Sequence, residues 1–294
     1  MLSFRYRELG SWYKGNTHIH SLASDGGKTF AELAEMYASA GFQFLFRTDH
    51  WVASAAANDT AKYPLAFFDG IELHGHDEMD SDYHIVCLGT FNGLSEDMGI
   101  PAALKSVRRQ NGVVILAHPH WMGNTFEEAR RHGFHGVEIY NHVCHWLNGK
   151  GSGEAHWNAM LRKDPTTLAI ASDDAHIVPE HPGWNGAWVM VNARELSQPA
   201  ILSALRVGNF YSTMGPVIHS LSCCEFAVTL ACSPVRFIWL IGPSHRGMRI
   251  SGTGDGLVTS ATFQVPLDWE YAYLAIEDAS GKRAWTNTLF PEFK

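Results

Sequence analysis

The sequence predicts an α/β protein in which a parallel sheet, closed as a barrel or doubly wound, leads into a small antiparallel β region. Continuous apolar runs of strand length alternate with helical patterns as far as about Val207, as expected for parallel strands covered on both faces. From about Leu221 the helical patterns stop, and short β-like runs follow one another between Gly, Pro and Ser turns. The 294 residues accommodate a barrel of about 200 residues plus a small companion. We place the division at residue 220, giving units of 1–220 and 221–294.

Residues 15–21 read as a short strand ending in His18 and His20. A helix over 29–40 opens with capping-box spacing at Thr29 and Glu32, repeats apolar residues at helical intervals and stops at Gly41. FQFLF (42–46) is the next buried strand and runs into Thr48, Asp49 and His50. AFFDGIEL (66–73) delivers Glu72, and YHIVCLG (83–89) carries His84. A helix over about 101–111 precedes VVILA (113–117), which meets His118, Pro119 and His120. Thr125 and Glu128 cap a further helix, GVEIY (136–140) holds Glu138, and an apolar strand over 168–172 runs into Asp173, Asp174 and His176. GAWVMV (186–191) and a helix over 199–207 complete the alternation. In the β region the strands are FAVTL (226–230), RFIWLI (236–241), ATFQV (261–265) and YAYLAIED (271–278).

Composition excludes several classes of function. Lys and Arg number 22 against 30 Asp and Glu, a net charge of −8, which argues against nucleic-acid binding through phosphate neutralisation. The chain has no uninterrupted apolar run of about 18 residues, and MLSFRYRELGSW is charged where a signal peptide needs an apolar stretch. No membrane association is expected, and the cytoplasm is the default location. The five cysteines lack CxxC spacing and are odd in number, so they read as buried, reduced thiols. The 17 histidines nearly equal all Lys and Arg together, and histidine is the commonest metal ligand.

Where those histidines fall decides the chemistry. In parallel α/β folds catalytic residues gather at the carboxyl ends of the strands, and here most strand ends carry His, Asp or Glu. His18-Ile19-His20 has the spacing that points two imidazoles to one side of a strand, and Asp174-Ala175-His176 repeats it with mixed ligands. Mixed nitrogen and oxygen donors suit Zn, Mn or Fe. Each motif alone is weak; their shared position at successive strand ends points to metal binding. There is no GxSxG and no Walker A sequence, so neither a nucleophilic serine elbow nor a P-loop is expected.

HIHSLASDG (18–26), TDH (48–50), GIE (70–72), AHP (117–119) and SDDAH (172–176) together resemble the polymerase-and-histidinol-phosphatase (PHP) family. GNFYSTMGP (208–216) and Trp285-Thr286-Asn287 resemble a carbaryl-hydrolase-like subgroup with a C-terminal β domain. The resemblance implies a distorted (β/α)7 barrel holding two or three divalent metals. Carried over by motif, one metal takes His18, His20, Glu72 and Asp174; Glu72 bridges to a second held by His84 and His118; a third takes Asp25, His50 and His176. Glu72, Asp174 and His20 would then hold the attacking hydroxide. Arg47, Asp49, His120 and Asp173 are expected to contact substrate or support the ligands.

The first expectation is hydrolysis of a phosphoester on a small molecule. The second is an amide, carbamate or ester hydrolase, motivated by Trp51, Trp121, Trp146, Trp157 and Trp184 in and around the loops. A barrel that only binds metal is the third reading. The sequence is compatible with a homo-oligomer.

Overall fold

The computed structural model describes residues 4–53, 62–254 and 256–290. Its first strand, β1 (Ser11–Asn16), starts and ends earlier than the predicted 15–21. The shift has a simple cause: Ser11–Gly15 pair antiparallel with β8 (Trp188–Ala193), whereas His18 and His20 lie beyond the ladder. Helix α1 (Phe30–Ser39) is capped as predicted, with the Thr29 hydroxyl accepting from the Glu32 N–H at 3.3 Å and the Glu32 carboxylate accepting from the Thr29 N–H at 2.9 Å.

The strands β2 (Phe44–Arg47), β3 (Ala66–His76), β4 (Asp82–Leu88), β5 (Val113–Leu116), β6 (Gly136–Asn141) and β7 (Leu168–Ser172) follow β1 side by side in chain order. The expected parallel sense fails at β4, which runs antiparallel to both neighbours. β3 returns directly into β4 through a turn in which the Asp77 carboxylate accepts from the N–H groups of Met79 and Ser81. So short a connection permits only an antiparallel pair. Elsewhere β1–β2–β3 and β5–β6–β7 are parallel.

Each strand is apolar on both faces because each face meets a different core. Ile71, Leu73, Ile85, Cys87, Val137 and Ile139 pack with Trp157 in one, while Phe68, Val86, Leu88, Ile115 and Ile170 pack with Phe210 in the other. The helices α2 (Gly99–Arg109) and α7 (Gln198–Val207) lie near the predicted spans. Three short helices, α3 (Pro119–Met122), α4 (Glu128–Arg131) and α5 (His142–Asn148), and the longer α6 (Glu154–Leu161) complete this part. The capping contacts of Thr125 and Glu128 are present, but α4 is a single turn. The sequence reading missed α5 and α6; α5 is fixed by local chemistry, the Asn141 side chain accepting from the Cys144 N–H and Gly149 closing it with φ 81°.

Beyond α7, β9 (Phe210–Thr213) pairs antiparallel with β8. Among the described residues, all later elements are antiparallel strands. β10 (Ile218–Cys224), β11 (Ala227–Val235) and β14 (Val258–Gln264) form a small sheet of their own. β12 (Phe237–Ile241), β13 (Gly247–Ser251), β15 (Tyr273–Glu277) and β16 (Arg283–Thr286) instead extend the large sheet, because β16 pairs with β9. Val228, Leu230, Ile238, Phe263 and Leu274 fill the core between the two.

At the other edge, the chain leaving β7 rejoins the chain leaving β1. The Asp174 N–H donates to the His18 carbonyl and the His20 N–H to the Ala175 carbonyl, both at 2.9 Å. Among the described residues no helix is long and apolar enough to cross a membrane.

Candidate metal centre

Ile19 anchors the first motif. Its side chain is buried in a core with Leu33, Tyr37 and Leu45, so the extended backbone turns His18 and His20 to the opposite side. Both imidazoles are fully buried, with their Nε2 atoms 3.1 Å apart. Glu72 Oε2, from the middle of β3, lies 3.1 Å from His18 Nε2 and 3.0 Å from His20 Nε2. Asp174 Oδ1 lies 3.1 Å from each of those nitrogens.

These separations test whether the residues suit a metal. Two imidazole nitrogens and two carboxylate oxygens converge with five mutual distances of 3.0–3.1 Å. Donors around one cation bonded at about 2.1 Å stand about 3.0 Å apart at right angles and about 3.4 Å apart in a tetrahedron. The observed edges match a single coordination sphere. Glu72 Oε2 is moreover buried without a hydrogen-bond partner, a costly condition for a carboxylate oxygen unless a cation offsets it. The set fits a divalent metal with borderline N/O preference.

The other motif residues surround this point. Asp25 lies 3.1 Å from His176 Nε2, 3.3 Å from His20 Nδ1 and 3.7 Å from His50 Nε2. His84 Nδ1 approaches Glu72 Oε1 at 2.9 Å, and His118 Nε2 lies 3.5 Å from the same oxygen and 3.6 Å from Asp174 Oδ2. All nine residues singled out as ligands therefore share one cluster. Its groupings differ from those expected in detail: His50 reaches Glu72 Oε2 at 3.3 Å as well as Asp25, and Cys144 joins His118 and Asp174.

Glu138, which the sequence marks only as an acid on a strand, orients the cluster. It lies 2.7 Å from His18 Nδ1 and accepts from the His118 N–H at 2.9 Å, the Ser172 hydroxyl at 2.5 Å and the Asn141 amide at 2.8 Å. With Nδ1–H held by Glu138, His18 presents Nε2 to the cluster. His176 is set the same way, its Nδ1 donating to the Asp174 carbonyl at 2.9 Å. Trp51, His118 and Asp174 have φ of 53°, 25° and 55°, a left-handed backbone that non-glycine residues adopt at some energetic cost and that gathers at functional sites.

The supporting residues divide by position. Asp49 accepts from the Ser21 N–H and from the Ser21 and Ser24 hydroxyls, pinning the loop that carries Asp25. Asp173 turns away from the cluster and accepts from the Tyr37 hydroxyl and the N–H groups of Asn185, Gly186 and Ala187. The Arg47 guanidinium stacks on Phe30 and Phe67, at 4.6 and 5.9 Å from the ring centres. His120 is exposed on α3. Of the remaining histidines, His74 faces His50 (Nδ1 to Nδ1, 3.1 Å) and His181 packs edge-on against His176.

Burial opposes a charge on His18, but the carboxylates of Asp174, Glu72 and Glu138 outweigh it and hold the pKa well above the ordinary value. His20 behaves alike through Asp174, Asp25 and Glu72. Burial also opposes ionisation of Glu72 and Asp174, yet His18 with His84, and His18 with His20, keep them well below the carboxylate range. At His50 burial wins and lowers the pKa to about 4. The carboxylates thus demand positive charge at the centre, which protons or a divalent cation can supply.

A cavity of about 220 Å³ opens over the cluster. Trp121, Val143, Cys144 and Leu147 form its non-ligand wall together with His181, and among the described residues no Lys or Arg lines it.

No family model and no curated protein matches this chain. Solved structures do. A two-domain protein from Bacteroides vulgatus, containing a predicted PHP-like metal-dependent phosphoesterase, superposes with a TM-score of 0.55 at 15% identity, over 98% of each chain. The two share one fold from end to end. A putative metal-dependent phosphoesterase from Bifidobacterium adolescentis matches 58% of this chain and 90% of its own (13% identity, TM-score 0.44). An amidohydrolase from Chromobacterium violaceum matches 55% and 87% (16% identity, TM-score 0.41).

Proposed function

We propose that the chain is a PHP-type metal-dependent hydrolase whose strands β1–β7 form a distorted barrel, with residues 221–294 as an appended β unit, and that it cleaves a phosphoester of a small molecule. The observation that carries this reading is the convergence of His18, His20, Glu72 and Asp174 on one point, with donor separations of 3.0–3.1 Å. Support for the phosphoester comes from the sequence motifs and from the fold shared with the Bacteroides protein.

His18, His20, Glu72 and Asp174 would hold one metal; Glu72, His84 and His118 a second; Asp25, His50 and His176 a third. When bound, divalent cations supply Lewis acidity and a nucleophilic oxygen at neutral pH. The chain's own contribution is positional. Glu138 fixes the His18 ring and the His118 backbone, and Asp49 fixes the loop of Asp25. Trp121, Val143 and Leu147 wall the cavity, limiting water around the reacting group.

The same wall favours a second reading, hydrolysis of an amide, carbamate or ester. Its lining offers apolar surface and, among the described residues, no Lys or Arg to grip a phosphate. Metal-loaded protein assayed on aryl phosphates and aryl carbamates separates the two. Phosphate turnover is expected; turnover of carbamates alone would sink the phosphoester reading, and turnover of neither by fully loaded protein would sink both.

A further inference from the structure

Far from the cluster, the chain collects cations that it leaves unpaired. A cavity of about 530 Å³ is bordered by Arg5, Arg7 and Arg194. It shares Arg5 and Val207 with a second cavity of about 350 Å³ that holds His135 and Arg206. Together they form one cleft beside the segments that enter β1, β6, β7 and β9. The carboxyl ends of β1 and β7, which lead to the metal cluster, lie at the opposite end of those strands.

In a protein of net charge −8, four arginines around one cleft call for counter-charge. Among the described residues none of the four makes an ion pair. Arg5 donates through Nη2 to Thr288 Oγ1 at 2.9 Å and Arg206 donates to the Asn111 carbonyl, while the exposed guanidinium groups of Arg7 and Arg194 make no hydrogen bond among the described residues. Among the described residues Asp164 is the one acid in the lining.

Arg5 shows that the cleft is built. It is only 6% exposed, and its Nε is buried with no partner. Its backbone N–H donates to the Leu289 carbonyl at 2.8 Å, which fixes its place. The guanidinium lies against Gly208, where any Cβ would overlap it and where φ is 73°. Arg5 thus places a rigid positive charge where the two cavities meet, and Arg7, Arg194 and Arg206 add guanidinium N–H donors along the lining, a set suited to oxyanions.

We propose that this cleft binds a small, multiply phosphorylated molecule at a site separate from the metal cluster. The cations span two joined lobes, so they suit two or more phosphate groups better than one. The cleft's volume fits a small molecule, and the acidic remainder of the surface repels a long polyanion.

Inorganic pyrophosphate is the probe; because it chelates divalent cations and would also engage a loaded cluster, it is titrated calorimetrically into the full-length, metal-free protein in a phosphate-free buffer of low salt. The wild type should show saturable binding that weakens as salt is raised. Arg7→Glu combined with Arg194→Glu, both exposed and expected to fold, should weaken it at least about tenfold, and the milder Arg7→Gln should weaken it less. The His20→Ala protein, with its cluster broken, should still bind. No saturable binding by the wild type, full binding by the double variant, or loss of binding on His20→Ala alone would each overturn the proposal.

Discussion

The two ends of the β1–β7 strands manage charge in opposite ways. At the carboxyl ends, Glu72, Asp174 and Glu138 are buried among imidazoles whose nitrogens crowd to 3.1 Å. At the other end, arginines line a cleft without an ion pair among the described residues. Both differ from the interior sites of the molecule, where charges are settled locally. Asp77, for example, meets Arg131 at 2.7 Å and His132 at 3.0 Å besides two backbone N–H groups. A charge the fold leaves unsettled marks a place for something from solution; a charge it settles marks architecture.

The neighbours Asp173 and Asp174 put that distinction to its sharpest test. Asp174→Asn should lower turnover by about three powers of ten, matching the several kcal/mol that a metal contributes. Metal content should fall while far-UV circular dichroism stays unchanged; full turnover would break the comparison. Glu138→Gln should cost about 10- to 100-fold in metal affinity, because His18 loses its orienting partner, and competition with a chelator measures it. Asp173→Asn should do the reverse of its neighbour. The amide nitrogen replaces one of two oxygens, so it faces either the Asn185 N–H or those of Gly186 and Ala187; this should lower unfolding stability by about 2 kcal/mol in urea melts while metal content holds.

A subtler test concerns protons. His18 and His20 have raised pKa values in the metal-free fold, so the stability they contribute is complete below about pH 6.5 and is lost as pH rises through their folded values. Metal must displace those protons. Apparent affinity should therefore climb about tenfold per pH unit for each proton released, and calorimetry in buffers of different ionisation enthalpy should detect the release; no buffer dependence would contradict the assignment. The smallest effect belongs to Trp121→Ala. Loss of that wall should raise KM for aryl substrates about five- to tenfold with little change in kcat.

Much of this was legible in the sequence, for identifiable reasons. Apolar runs located β2 to β8 because both faces of those strands are buried, and the i, i+2 spacings placed His18 with His20 and Asp174 with His176. Strand direction was not legible at β4, since an apolar run carries no sign; the short Asp77–Ser81 return sets it. Nor was Glu138, whose meaning arises only when β5, β6 and β7 lie together and bring His118, Asn141 and Ser172 to its oxygens. Cys144 was hidden for the opposite reason: buried thiols are common and inert, and only the position of α5 brings this one to His118 and Asp174. Arg47 is expected from the sequence to contact substrate or support the ligands, and the fold stacks its guanidinium on Phe30 and Phe67.

Asn287 binds distant parts of the chain at once. Its side chain accepts from the Ala169 N–H of β7 and donates to the Gly208 and Phe210 carbonyls, while its own N–H donates to the Tyr6 hydroxyl. During synthesis, then, the Ala169 N–H of the strand that leads to Asp174 lacks this acceptor until residue 287 has left the ribosome. The strand that carries the chain to Asp174 is therefore fastened late, by a side chain 118 positions downstream.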